Sequence, residues 1–196
     1  MNKIDLPLTI CFMGVDGSGK STLIKEIKKK FKIKYLHLRP YLFLTDKRIT
    51  DKNPHKLKKT QVSIVSLFRL LIWLFIYNFF FYLNNNNKKQ LIIFDRYAHD
   101  ILIDPIRYNF NLSKKITKKI LNYFPEPDLW IILNAGSYTA YNRKKEISLK
   151  ETVRQSREYL KFAKNRKNSI VINTSKNLKK SVTILTKTII SQHGKN

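Results

Sequence analysis

Gly14-Val15-Asp16-Gly17-Ser18-Gly19-Lys20-Ser21 is the stretch that decides the fold. Its glycines let the backbone curl until successive N–H groups point inward at an anion. Upstream, the apolar run Leu8-Thr9-Ile10-Cys11-Phe12-Met13 stops at Gly14 and predicts a buried parallel strand. Downstream, Leu23, Ile24, Ile27 and Phe31 recur at helical spacing and predict a helix over Ser21–Phe31. Strand, glycine loop and helix in that order fit G-x-x-x-x-G-K-[ST] and identify a phosphate-binding loop. The helix presents its positive N-terminal end to the same anion. Lys20 is placed for the β- and γ-phosphates of ATP and Ser21 for Mg²⁺. The ATP-binding set is then Gly14, Asp16, Gly17, Ser18, Gly19, Lys20, Ser21 and Thr22. A glycine turn with a solvent lysine is the plainer alternative, and it would not need the strand before or the amphipathic helix after.

Further along, apolar strands alternate with helical patterns. Lys34–Leu38, Leu91–Phe94, Leu129–Leu133 and Ile170–Ile172 read as strands. Ser113–Tyr123 reads as a helix with Ser113 as its N-cap, and Ser137–Arg143 as another. Ser148-Leu149-Lys150-Glu151 is a capping box opening a helix that runs to about Lys164, and Leu178–Ile190 closes the chain. The pattern predicts an α/β fold: a five-stranded parallel sheet with helices on both faces. One domain over residues 1–196 suits the length. Thr45–Lys59 is polar and basic and reads as a loop or mobile insert.

Val62–Leu83 is apolar enough to cross a bilayer, and the helix around it is expected over roughly 57–83. Ser63, Ser66, Arg69 and Asn78 interrupt the apolar run. A long helix covering the sheet, with its surplus apolar face against a second subunit, is expected instead of a span.

Net charge is +26, from 39 Lys and Arg against 13 Asp and Glu. That balance favours anionic partners such as nucleotides, nucleic acid or an acidic membrane. The lysines are scattered along the whole chain, beside abundant Asn and Ile, the pattern of an AT-rich coding bias. No stable nucleic-acid partner is therefore expected. Cys11 is the only cysteine, so no disulfide or cysteine-rich zinc site can form within the chain. A reducing cytoplasm fits that, and Met1–Thr9 lacks a signal-peptide pattern.

Asp95-Arg96 ends the strand Leu91–Phe94, and its carboxyl end belongs beside the phosphate loop, where ligands bind in such sheets. Asp95 can hold magnesium through water or orient an acceptor. Arg96 can clamp acceptor phosphate oxygens bidentately. A surface ion pair is the plainer account of both.

Gly14–Thr22 followed by Asp95-Arg96-Tyr97 resembles the thymidylate kinase family of nucleoside monophosphate kinases. Arg39-Pro40 after the second strand, Arg69 in the long apolar helix, Pro127-Asp128 before the fourth strand, and Arg143-Lys144-Lys145-Glu146 before a helix carrying Arg154, Arg157 and Tyr159 agree in order. The similarity covers nearly the whole chain and is specific at the phosphate loop and the Asp-Arg-Tyr turn. It implies ATP and Mg²⁺ as cofactors, with Ser21 and Asp95 on the metal. It implies an acceptor held by Asp16, Arg39, Arg69, Arg96 and Tyr97, Asp16 meeting a sugar hydroxyl and Arg69 a pyrimidine base. It implies a lid near 143–148. Some members carry an arginine inside the loop, at the place of Gly17, and others place that cation in the lid. Here Arg143 is the expected one, so that Lys20, Asp95, Arg96 and Arg143 would carry the chemistry.

The sequence departs from the family in two places. Arg39-Pro40-Tyr41 lacks the Glu and the following Gly-Gly. After Tyr97 comes Ala98-His99-Asp100-Ile101-Leu102-Ile103-Asp104-Pro105, so that Asp100, Asp104, Arg107 and Tyr108 form an acceptor wall of their own. Thymidylate is the default acceptor. A sugar or glycan acceptor stays open, as do a membrane-anchored nucleotide-binding protein and a basic binding module without turnover. His37 and His99 could serve as bases, although phosphoryl transfer asks for positioning more than for a base.

Overall fold

The computed structural model describes residues 8–37, 63–85, 90–175 and 177–193. Five strands run in the order β2-β3-β1-β4-β5, every neighbouring pair parallel: β1 Thr9–Met13, β2 Ile33–His37, β3 Leu91–Asp95, β4 Leu129–Asn134 and β5 Ser169–Asn173. The helices are α1 Lys20–Lys30, α2 Ser63–Asn85, α3 Lys114–Leu121, α4 Ser137–Arg143, α5 Leu149–Lys164 and α6 Leu178–His193. The chain divides into two compact units. The first is Met1–Leu38, Lys88–Tyr97 and Pro127–Asn196; the second is Arg39–Asn87 and Ala98–Glu126.

In the first unit the alternation of strand side chains feeds both faces of the sheet. Ile10, Phe12, Leu91, Ile93, Leu129, Ile131 and Leu133 meet Leu23, Ile24 and Ile27 of α1 and Val182, Leu185 and Ile189 of α6 in one buried cluster. Each such side chain contributes about 1.5–3 kcal/mol when fully buried. The opposite parity serves the other face, where Trp130 of β4 stands edge-on to Phe162 of α5. Every position of β1 and β3 is buried, and the near-continuous apolar runs Ile10–Met13 and Leu91–Phe94 follow from burial on both faces. Asp128, just before β4, accepts a 2.7 Å hydrogen bond from the Thr9 backbone N–H and so anchors the start of the central strand. Ser113 and Ser148 cap α3 and α5, their hydroxyls accepting from the N–H groups of Ile116 and Glu151. The Glu151 side chain takes Arg154 and Gln155.

In the second unit, α2 buries one stripe, Ser66, Leu70, Trp73 and Tyr77, against the segment that follows the 3-10 helix Ala98–Leu102. Ser66 Oγ accepts from the Asn111 N–H, and Trp73 and Tyr77 meet Tyr108 and Phe124 edge-on. Arg69 lies on this inner stripe, 4% exposed, and donates to the Tyr108 carbonyl at 2.9 Å. The opposite stripe of α2 is bare: Ile64, Phe68, Leu71, Phe75, Phe79 and Tyr82 are all exposed. By length and composition alone α2 could cross a membrane.

Candidate active site

The register of the central strands sets Asp95 of β3 opposite Phe12 of β1, two residues before Gly14. The loop Gly14–Gly19 therefore leaves the sheet beside Asp95, at the carboxyl edge where α/β sheets take ligands. Gly19 caps α1 with φ 90° and brings no capping side chain to the start of that helix, the end that favours an anion. Lys20 is buried and folded back on the loop, donating to the Gly14 and Val15 carbonyls at 2.7 and 2.9 Å and to Ser18 Oγ at 3.3 Å. Ser21 and Thr22 are exposed on the first turn of the helix.

The loop does not stand alone. Gly17 has φ +78°, and a Cβ there would overlap the backbone carbonyl of Ala140 in α4. One turn further along α4, Arg143 donates to the Gly17 carbonyl at 3.4 Å and to those of Thr174 and Ser175 at 3.2 and 3.3 Å. Thr174, just past β5, donates through its hydroxyl to the Ser18 carbonyl at 2.7 Å. Together these groups line a cavity of about 540 Å³ that also includes Lys144, Leu178 and Ser181. That volume suits a nucleotide-sized ligand.

Asp16 and Arg96, both expected on the acceptor, are joined here. Arg96 Nη2 lies 2.6 Å from Asp16 Oδ1, with both side chains nearly buried. Arg96 Nη1 also donates to the Tyr159 hydroxyl of α5 at 3.2 Å. Arg96 adopts a left-handed φ of 73°, which costs a non-glycine residue roughly 1–3 kcal/mol and recurs at functional turns. The turn aims its guanidinium at the loop. Tyr97, expected on the acceptor, is buried, with its ring edge-on to both Phe94 and Trp130.

Asp95 accepts a 2.9 Å hydrogen bond from the Tyr35 hydroxyl of β2. The Ser21 hydroxyl and the Asp95 carboxylate are hard oxygen donors, the kind that suits Mg²⁺ with phosphate oxygens as its other ligands. Among the described residues no group of three His, Cys, Asp or Glu could hold a metal alone. An ion bound mainly by a nucleotide needs no such group.

Of the remaining expected residues, Arg69 belongs to the second unit, while Arg39 and Tyr41 lie outside the described residues, as does Thr45–Lys59. The departure segment after Tyr97 interlocks: Tyr108 donates to Asp100 at 2.8 Å, and Arg107 donates through Nε to Asp104 at 3.1 Å. His99 is buried in the 3-10 helix. Sequence reasoning missed Thr174, Leu178, Ser181 and Tyr35. For Thr174 a signal existed, since it follows β5 at the same carboxyl edge that pointed to Asp95.

Comparison with known proteins agrees with this geometry. The thymidylate kinase family model matches residues 12–185. A probable thymidylate kinase of Sulfolobus acidocaldarius is 27% identical over 188 residues, covering 86% of this chain and 89% of that one. The fold is similar to that of the thymidylate kinase of Candida albicans, with a TM-score of 0.69 and 16% identity over 97% of this chain and 95% of that one. It is also similar to that of deoxyadenosine kinase from M. mycoides, with a TM-score of 0.64 and 19% identity over 94% and 100% of the two chains. The chain belongs to the thymidylate kinase family and is a nucleotide kinase, of the kind that phosphorylates nucleoside monophosphates.

Proposed function

We propose that the chain transfers the γ-phosphoryl group of ATP to thymidylate. The nearly buried Asp16–Arg96 pair is the observation that carries this, because it ties the donor loop to the turn that would hold an acceptor phosphate. In this account the loop amides and Lys20 neutralise the β- and γ-phosphates. Ser21 and Asp95 would hold Mg²⁺, which would supply charge neutralisation for the transferred phosphoryl group. Arg96 turns from Asp16 to the acceptor phosphate, and Asp16 is then left to meet a sugar hydroxyl. Arg143 supplies the cation that the loop lacks, from a lid near 143–148. The departure of Ala98–Pro105 from the family's acceptor segment leaves a second account, in which the acceptor is a sugar or glycan.

A panel of nucleoside monophosphates and sugars, offered with ATP and Mg²⁺ and read by ADP release, decides between them. Thymidylate-dependent ADP release supports the first account; release with a sugar and none with thymidylate moves the assignment to the second. On whichever acceptor works, Arg96→Ala is best made together with Asp16→Asn, since the single change strands a carboxylate beside the phosphates. The acceptor KM of the double variant is expected to rise about tenfold or more, the value of a charged hydrogen bond, with ATP affinity little changed. Equal loss on both substrates would assign the pair to ATP or to the fold.

The bare stripe of α2 we assign to a second copy of the chain rather than to a bilayer. A buried Arg69 on the inner stripe would be costly at membrane depth. Contiguous apolar surface of this kind marks an interface on soluble proteins. The protein is then cytoplasmic and stays in the aqueous fraction without detergent. Sedimentation equilibrium is expected to give a dimer, and Phe75→Glu with Phe79→Glu a folded monomer. A wild-type monomer, or a chain that needs detergent, would contradict the assignment.

A further inference from the structure

Tyr35 stands on β2 at the edge of the sheet. The register places His37 opposite Asp95, so Tyr35, two residues earlier, projects from the same face as Asp95. That is the face covered by α1, since Ile33, again two residues earlier, packs into the cluster that α1 and α6 close. Two contacts hold the phenol. Its hydroxyl donates to Asp95 Oδ2 at 2.9 Å, and the Lys28 ammonium of α1 sits 4.1 Å from its ring centroid. The ring is thus gripped by the helix that begins at the phosphate loop, and its hydroxyl is spent on the carboxylate beside that loop. A tyrosine kept only for packing would not need its hydroxyl on a buried carboxylate.

We propose that Tyr35 is a positioning residue for Asp95, fixing one carboxylate oxygen and thereby the direction in which the group meets the magnesium–nucleotide complex. This rests on the assignment of Asp95 to that complex under the proposed function. Outer-shell hydrogen bonds to metal-ligating carboxylates act in this way, and losing one weakens metal binding by about tenfold or more.

The test uses Mn²⁺, whose binding is followed by electron paramagnetic resonance in the presence of a non-hydrolysable ATP analogue, so that no turnover is required. Tyr35→Phe keeps the ring under Lys28 and removes only the hydroxyl. It is expected to bind Mn²⁺ about tenfold more weakly than wild type, with an unchanged melting temperature in the absence of nucleotide. Asp95→Asn should bind at least as weakly, and the double variant no more weakly than Asp95→Asn alone, because Tyr35 acts through Asp95. Wild-type Mn²⁺ binding by Tyr35→Phe beside a weakened Asp95→Asn overturns the role of Tyr35 and leaves that of Asp95. Additive losses in the double variant overturn it equally, since Tyr35 would then act elsewhere. Wild-type binding by Asp95→Asn removes the assignment of Asp95, and the proposal with it.

Discussion

Lys20→Ala is expected to leave a folded protein whose turnover falls by at least about a hundredfold, the scale on which single preorganised charges act on a transition state. The fold should survive because the buried cluster under the sheet does not include Lys20, and alanine is the best helix former for the first turn of α1. What the substitution removes is a buried ammonium already held by two loop carbonyls and a hydroxyl. In that position it needs only a short swing to reach phosphate oxygens. Circular dichroism and ADP release measured on the same preparation provide the check. A folded variant with unchanged turnover would sink the assignment of Gly14–Ser21 to the donor phosphates.

The second large effect is expected at Arg143. Charge building on the γ-phosphoryl group calls for a cation beyond Lys20 and magnesium, and arginines in that role contribute on the order of a thousandfold or more. Of Arg143, Lys144 and Lys145, it is Arg143 that donates to the phosphate loop, at the Gly17 carbonyl. Lys144 is paired with Glu146 at 2.8 Å, and Lys145 lies over the Tyr141 ring. The carbonyls of Gly17, Thr174 and Ser175 that Arg143 now contacts are weaker acceptors than phosphate oxygens, so a bound nucleotide can draw the guanidinium away. Arg143→Ala should therefore cut turnover by roughly a thousandfold with little change in ATP affinity. Lys29 and Lys30, exposed on α1, serve as controls and should tolerate alanine. Near-normal turnover in Arg143→Ala, Lys144→Ala and Lys145→Ala alike would remove the lid from the mechanism.

The parts of this molecule that could be read from its residues are those fixed by short-range physics. Apolar runs ending at Gly14 and at Asp95 located two central strands, with ends that differ from the structure by one residue. The caps Ser113 and Ser148 and the helix Ser137–Arg143 lie where expected. The 3-10 helix Ala98–Leu102 was not legible, because five residues are too few to establish a period. The site divides in the same way. The loop announces itself by its glycines and one lysine. The Asp16–Arg96 pair joins residues 80 apart in sequence, and each was legible only as a ligand of something else. Tyr35 meets Asp95 only once the register of β2 on β3 is known, and a register cannot be counted from one strand.

The close seat of Gly17 against Ala140 has a further consequence. Any side chain at position 17 must displace α4, and α4 is the helix that delivers Arg143. A side chain on the loop at this position and the present seat of Arg143 thus exclude one another. Gly17→Arg is expected to push α4 outward and to draw Arg143 from the Gly17, Thr174 and Ser175 carbonyls. The single hydrogen at Gly17 acts as an interlock between loop and helix.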